Sequence, residues 1–130
     1  MFSHIHLGIT DFPRAFAFHS AVATELGLKC VVDEPEQGWA GWRGEASRPL
    51  LFIGKPFDKQ MAEPGNGPMT ALLADDRPTV DRAYAAAMAH GGIDEGKPGL
   101  RPHYHADYYA AYFRDPDGNK MCVVCHRPEA

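Results

Sequence analysis

Set against itself at an offset of half its length, the 130-residue chain repeats. Residues 4–28 read HIHLGITDFPRAFAFHSAVATELGL and residues 69–93 read MTALLADDRPTVDRAYAAAMAHGGI. Leu7 meets Leu72, Asp11 meets Asp76, Pro13 meets Pro78, Ala21 meets Ala86 and Gly27 meets Gly92. A repeat of this kind restricts the fold to two copies of one supersecondary unit. Each copy starts with a short apolar run, Ile5 to Ile9 or Ala71 to Ala74. An acidic residue and a Pro follow, as at a helix start, because Pro lacks the N–H that a first turn cannot pair. Apolar residues then recur at helical spacing: Ala15, Phe18, Val22 and Leu26 in the first copy, and Val80, Ala83, Tyr84, Ala87 and Met88 in the second. Gly27 and the Gly91-Gly92 pair stop the two helices.

Short strand-like runs come after each helix. In the first half they are Leu28 to Val32, Trp39 to Trp42 and Leu50 to Ile53. In the second half they lie around Leu100, from Tyr108 to Phe113 and from Met121 to Cys125, with the turn signal Asp115-Pro116-Asp117-Gly118 between the last two. The reading is an α+β chain of two βαβββ modules, 1–54 and 69–130, joined by a Gly-, Pro- and charge-rich linker over 55–68.

Composition narrows the function classes. The 13 basic and 17 acidic residues give a net charge of −4, and the basic residues stand singly, so a nucleic-acid footprint is not expected. No run approaches the roughly 18 apolar residues that cross a bilayer, so no membrane partner is expected either. The first residues lack the pattern of an export signal, and three cysteines (Cys30, Cys122, Cys125) do not make a disulfide scaffold, which together point to a reduced, cytoplasmic setting.

The layout, with HIHLGITD at 4–11, ELGL at 25–28, GNG at 65–67 and DPDGN at 115–119, resembles the vicinal oxygen chelate superfamily. That superfamily includes glyoxalase I, bleomycin-resistance proteins, fosfomycin-resistance enzymes and extradiol dioxygenases. The resemblance implies a glyoxalase-like half-open barrel, in which two modules wrap a cavity, and in many members a homodimer. It also implies a divalent metal held by His or Glu from the first, fifth and last strands. Matched by motif, those positions are His4, Met69 and Cys122. This set departs from the family's His–His–Glu pattern. A thioether suits hard divalent ions poorly, and a Cys ligates only as thiolate, so His4 is left as the one expected ligand of the family type.

His6 shares a strand face with His4, as a substitute ligand or a general base. His103 and His105 lie two apart in RPHYHADYYAAYFR, residues 101–114, with Tyr104, Tyr108, Tyr109 and Tyr112 around them. His6, His103 and His105 are the candidate catalytic residues, and Met69, Tyr108, Tyr112 and Cys122 the candidate pocket. Trp39 and Trp42 either fill the sheet core or stack on a ligand. Arg43, Arg101 and Arg114 are candidate anion clamps, with a solvated face as the alternative. Cys122-Val123-Val124-Cys125-His126 matches a haem-attachment string. On a strand, however, a spacing of three sends the sulfurs to opposite faces, so haem is not expected; a nucleotide cofactor is not expected either.

Two functions follow from this reading. One is a small-molecule enzyme of lyase or dioxygenase type, with the metal polarising a chelated substrate in the cavity. The other is a metal-free protein that binds or sequesters a small molecule, as bleomycin-resistance members do.

Overall fold

An acidic cap followed by Pro opens both helices, and the backbone shows why. Asp11 precedes α1 (Phe12–Glu25), and its carboxylate accepts the Arg14 N–H at 3.2 Å. Asp76 precedes α2 (Arg77–Ala89) and accepts the Thr79 N–H at 2.9 Å and the Thr79 hydroxyl at 2.6 Å. Each carboxylate thereby satisfies an N–H that the first turn leaves without a partner. Gly27, past the end of α1, takes a left-handed φ of 71° that a side chain would resist.

The computed structural model describes residues 1–129. In chain order its strands are β1 (His4–Gly8), β2 (Lys29–Glu34), β3 (Trp39–Arg43), β4 (Leu50–Gly54), β5 (Thr70–Leu73), β6 (Ile93–Leu100), β7 (Tyr109–Arg114) and β8 (Lys120–Cys125). They form two four-stranded sheets, ordered β1-β4-β3-β2 and β5-β8-β7-β6. In each sheet the first pair is parallel and the remaining pairs antiparallel. The sequence repeat is therefore a repeat of topology, two βαβββ units in one α+β chain. Residues 55–69 between β4 and β5 carry neither helix nor strand. Among the described residues, no helix is long and apolar enough to cross a membrane.

Alternation along the strands decides which face is buried. Leu7, Ala40, Trp42, Leu51 and Ile53 join one core cluster with Ala15, Phe18 and Val22 of α1. Ala111, Phe113, Met121 and Val123 join it with Val80, Ala83 and Ala87 of α2. The two helices pack on each other, and the Phe18 ring meets Phe113 edge-on at 5.8 Å between centroids. Trp42 is thus a core residue. Small Ala side chains on α2 let that helix sit close to its sheet.

The modules meet through these helices and through one turn. No strand of the first sheet comes within 8 Å, Cα to Cα, of a strand of the second. The sheets therefore do not close on a common cavity within one chain. The turn is the DPDGN segment. Asp115 Oδ1 accepts the Asp117 and Asn119 N–H groups at 3.0 and 2.8 Å. Its Oδ2 accepts Asn119 Nδ2 and the buried His19 Nε2, both at 2.9 Å. Asn119 Nδ2 also donates to the Gly8 carbonyl at 2.9 Å, and Asp117 accepts the Thr10 N–H at 3.0 Å. The motif thus pins the second module to β1 and α1 of the first.

Candidate functional site

Each sheet keeps one face free of helices, and the candidate residues divide between the two. On the first sheet, β1 sends Leu7 inward and therefore His4 and His6 outward. Register sets His4 opposite Leu50 and His6 opposite Phe52. The run Leu50–Gly54 buries Leu51 and Ile53, so Phe52 turns to the histidine face. His4 meets Phe52 edge-on at 5.6 Å, and Trp39 stacks on Phe52 at 5.4 Å with 24° between planes. Gly41 makes room for this: a Cβ there would lie 2.5 Å from the Phe52 ring. Burial, with His4 as the lesser cause, holds the His6 pKa below its ordinary 6.5. The imidazole is therefore neutral at pH 7 and able to accept a proton.

On the second sheet the free face centres on Ala110, Cys122 and Val124, with Tyr108 and Tyr112 packed over them. The Tyr108 and Tyr112 hydroxyls lie 3.0 Å apart, and the Tyr108 hydroxyl is 3.9 Å from Cys122 Sγ. Burial is the first cause that pushes the Tyr108, Tyr112 and Cys122 pKa values up. This face offers neutral phenols and a neutral thiol, which are hydrogen-bonding groups rather than charged ligands. Arg101 and Lys120 stand over the Tyr112 ring at 5.5 and 5.9 Å. Arg101, His103, Tyr104, Tyr112, Lys120 and Glu95 line a hollow of about 240 Å³ there.

The structure brings Tyr108, Tyr112 and Cys122 together. Met69 stands one residue before β5, whose register sets Ala71 against Cys122, and it lines a small crevice with Leu7, Asn119 and Lys120. His103 and His105 do not share a face. The segment 102–107 is a series of turns rather than an extended run, so the two rings part. His103 lies on Tyr104 at 4.3 Å. His105 packs against Tyr108 and His126. The Asp107 N–H donates to His105 Nδ1 at 3.2 Å, which leaves the proton on Nε2 to be donated to His126 Nδ1 at 2.8 Å. Tyr109 also departs from the expected cluster. It lies in register with Leu100 and Cys125, points into the core side and donates its hydroxyl to Asp81 of α2 at 2.7 Å.

The residues of this site do not suit a hard divalent ion. Cys122 is a buried neutral thiol beside a phenol, and Met69 offers only a thioether. Among the described residues, no group of three His, Cys, Asp or Glu side chains is placed to hold a metal. Cys122 and Cys125 fall on opposite faces of β8, one under the tyrosines and one in the main core. Sequence reasoning missed His126 as the partner of His105, Phe52 as the platform between Trp39 and His4, and His19. The spacing of His19, four after Ala15 and three before Val22, is a signal for burial.

The family model described as Glyoxalase/Bleomycin resistance protein/Dioxygenase superfamily matches residues 1–123. A search of curated proteins gave no match. Among solved structures, a glyoxalase/bleomycin resistance protein from Albidiferax ferrireducens is 33% identical, with 96% of this chain and 98% of that chain covered and a TM-score of 0.86. A lactoylglutathione lyase from Agrobacterium tumefaciens is 23% identical, with 96% and 92% covered and a TM-score of 0.63. TnmS3, an antibiotic binding protein from Streptomyces, is 21% identical, with 98% and 96% covered and a TM-score of 0.65. The last two similarities are of fold.

Proposed function

The chain belongs to the glyoxalase/bleomycin resistance protein/dioxygenase superfamily, and from that premise we propose that it binds a small organic molecule on its helix-free sheet faces without a resident metal of the family type. The observation that carries this is Cys122. It stands where the superfamily resemblance calls for an acidic ligand, and it is buried, neutral and set beside the Tyr108 hydroxyl. A thiol in that state is a poor ligand for Mg, Mn, Ni or Fe(II). What the faces offer instead is aromatic area with a few polar groups, the composition of an organic-ligand site. Trp39 and Phe52 supply it on the first sheet, Tyr108 and Tyr112 on the second.

The two faces lie apart in one chain, so a cavity walled by both needs a second copy. We propose a homodimer that sets the first sheet of one copy over the second sheet of the other. A thermal-shift screen of aromatic natural-product-like compounds, run in excess chelator, tests the binding reading. Hits are expected with chelator present, weakened at least tenfold by Trp39→Ala or Phe52→Ala. Hits that vanish on chelation and return with one ion would contradict it.

His6 favours a second reading, metal-independent acid–base catalysis. It is held neutral beside an open aromatic platform, as a general base requires. Turnover of a bound compound that is abolished in His6→Gln, with binding intact, supports this reading over simple sequestration.

A further inference from the structure

Resting on the binding reading above, we infer that the molecule held on the second sheet carries a negatively charged group, a carboxylate or a phosphate, seated between Arg101 and Lys120. The chain as a whole is acidic, with a net charge of −4. The hollow beside Tyr112 runs against that balance. Arg101 donates to the Lys97 and Gly99 carbonyls at 2.8 and 2.9 Å, both neutral partners. These bonds fix the guanidinium over the ring and use two of its five N–H groups, leaving three for a ligand. Among the described residues, Arg101 and Lys120 have no carboxylate within ion-pair distance. The one acid lining the hollow, Glu95, is taken by Arg114, which also donates to the Gly118 carbonyl. The hollow thus keeps two uncompensated cations, held at 5.5 and 5.9 Å from one tyrosine ring.

Preorganisation separates this pair from ordinary surface charge. Arg101 is positioned by backbone carbonyls rather than by solvent, so little rotamer freedom is lost when an anion binds. A planar guanidinium and a mobile ammonium on one side of a hollow match a carboxylate or phosphate, with two oxygens on the fork and a third near the amine. His103 lines the same hollow and adds a further donor. The volume of about 240 Å³ is large enough for a charged head and an attached ring.

The test uses three probes that share one ring: benzoate, phenyl phosphate and benzyl alcohol, at constant ionic strength, read by amide and side-chain NMR shifts of the full chain. Benzoate or phenyl phosphate is expected to bind at least about tenfold more tightly than benzyl alcohol, as charge-assisted hydrogen bonds allow. The tighter of the two anions identifies the head group. Shifts are expected at Arg101, Tyr112 and Lys120, and Arg101→Gln or Lys120→Gln each weakens the anion about tenfold while leaving benzyl alcohol unaffected. Lys120→Gln removes no backbone contact and keeps the test valid should Arg101→Gln unfold. Benzyl alcohol binding as tightly as benzoate overturns the anion assignment and leaves the binding reading intact. Failure of all three probes to shift this face overturns the anion assignment, while hits elsewhere in the chelator screen would still uphold binding.

Discussion

Asp115→Ala is expected to lose about 3–5 kcal/mol of folding stability, the cost of breaking a buried charged network on one side. Asp115 is fully buried and holds four donors: His19 Nε2, Asn119 Nδ2 and the N–H groups of Asp117 and Asn119. Alanine leaves all four without their acceptor. It also frees the turn that ties Asn119 to the Gly8 carbonyl and Asp117 to Thr10, a polar connection between the modules. Denaturant unfolding of wild type and variant measures the loss. The pH dependence carries a signature of its own. Burial raises the Asp115 pKa, but the hydrogen bond and charge of His19, with Asn119, outweigh it, and the net shift is below 3.8. A carboxyl with a depressed folded pKa contributes stability above its unfolded pKa and loses it as pH falls through the folded value. Wild type is therefore expected to lose this contribution below about pH 4, and the acid limb of the variant is correspondingly flatter. An unchanged acid limb in Asp115→Ala would show that the pair adds nothing to the fold.

Phe18→Ala is expected to cost about 3–5 kcal/mol as well, from lost transfer energy and the cavity it leaves. Phe18 has no exposed surface, and its ring meets His19 at 4.9 Å and Phe113 at 5.8 Å. A Cβ on Gly92 would lie 2.9 Å from the same ring, so the chain leaving α2 is fitted around it. The site cannot collapse easily, because residues of both modules shape it. A drop in Tm of about 10 °C or more is the calorimetric reading. Phe52→Ala is the control. Phe52 lies on the helix-free face, outside the main core, so its loss is expected to weaken ligand binding far more than folding. Equal destabilisation by the two variants would mean that the histidine face of the first sheet is buried core rather than a binding surface.

The repeat was legible because helix starts are governed by local chemistry. Asp11 and Asp76 cap their helices within three residues of themselves, and Pro13 and Pro78 fit the first turn. Short apolar runs bounded by Gly and Pro, such as Leu50 to Ile53, match their strands to within a residue. Strand β6 was harder: IDEGKPGL has no apolar alternation, and its pairing with β7 shifts register twice. The site was partly legible. Tyr108, Tyr112 and Cys122 meet because β7 and β8 pair directly. His19 and Asp115 are 96 residues apart, and no local rule joins them. His126 was read only within a cysteine string, whereas its partner His105 lies 21 residues earlier in a turn whose shape the sequence pattern does not state. Tyr109 stands apart from Tyr108 and Tyr112 because successive strand residues point to opposite faces, a parity that residue spacing alone carries.

Metal stoichiometry tests the reading of this site most directly. Protein purified without chelator and then soaked in turn with Mn, Ni, Zn and Fe(II) is expected to retain less than about a tenth of an equivalent of any of them after desalting, because Cys122 stays a buried thiol and Met69 a thioether. Close to one equivalent of a single ion per chain, lost on His4→Ala, would contradict it and would place a metal centre of the family type between the two sheet faces.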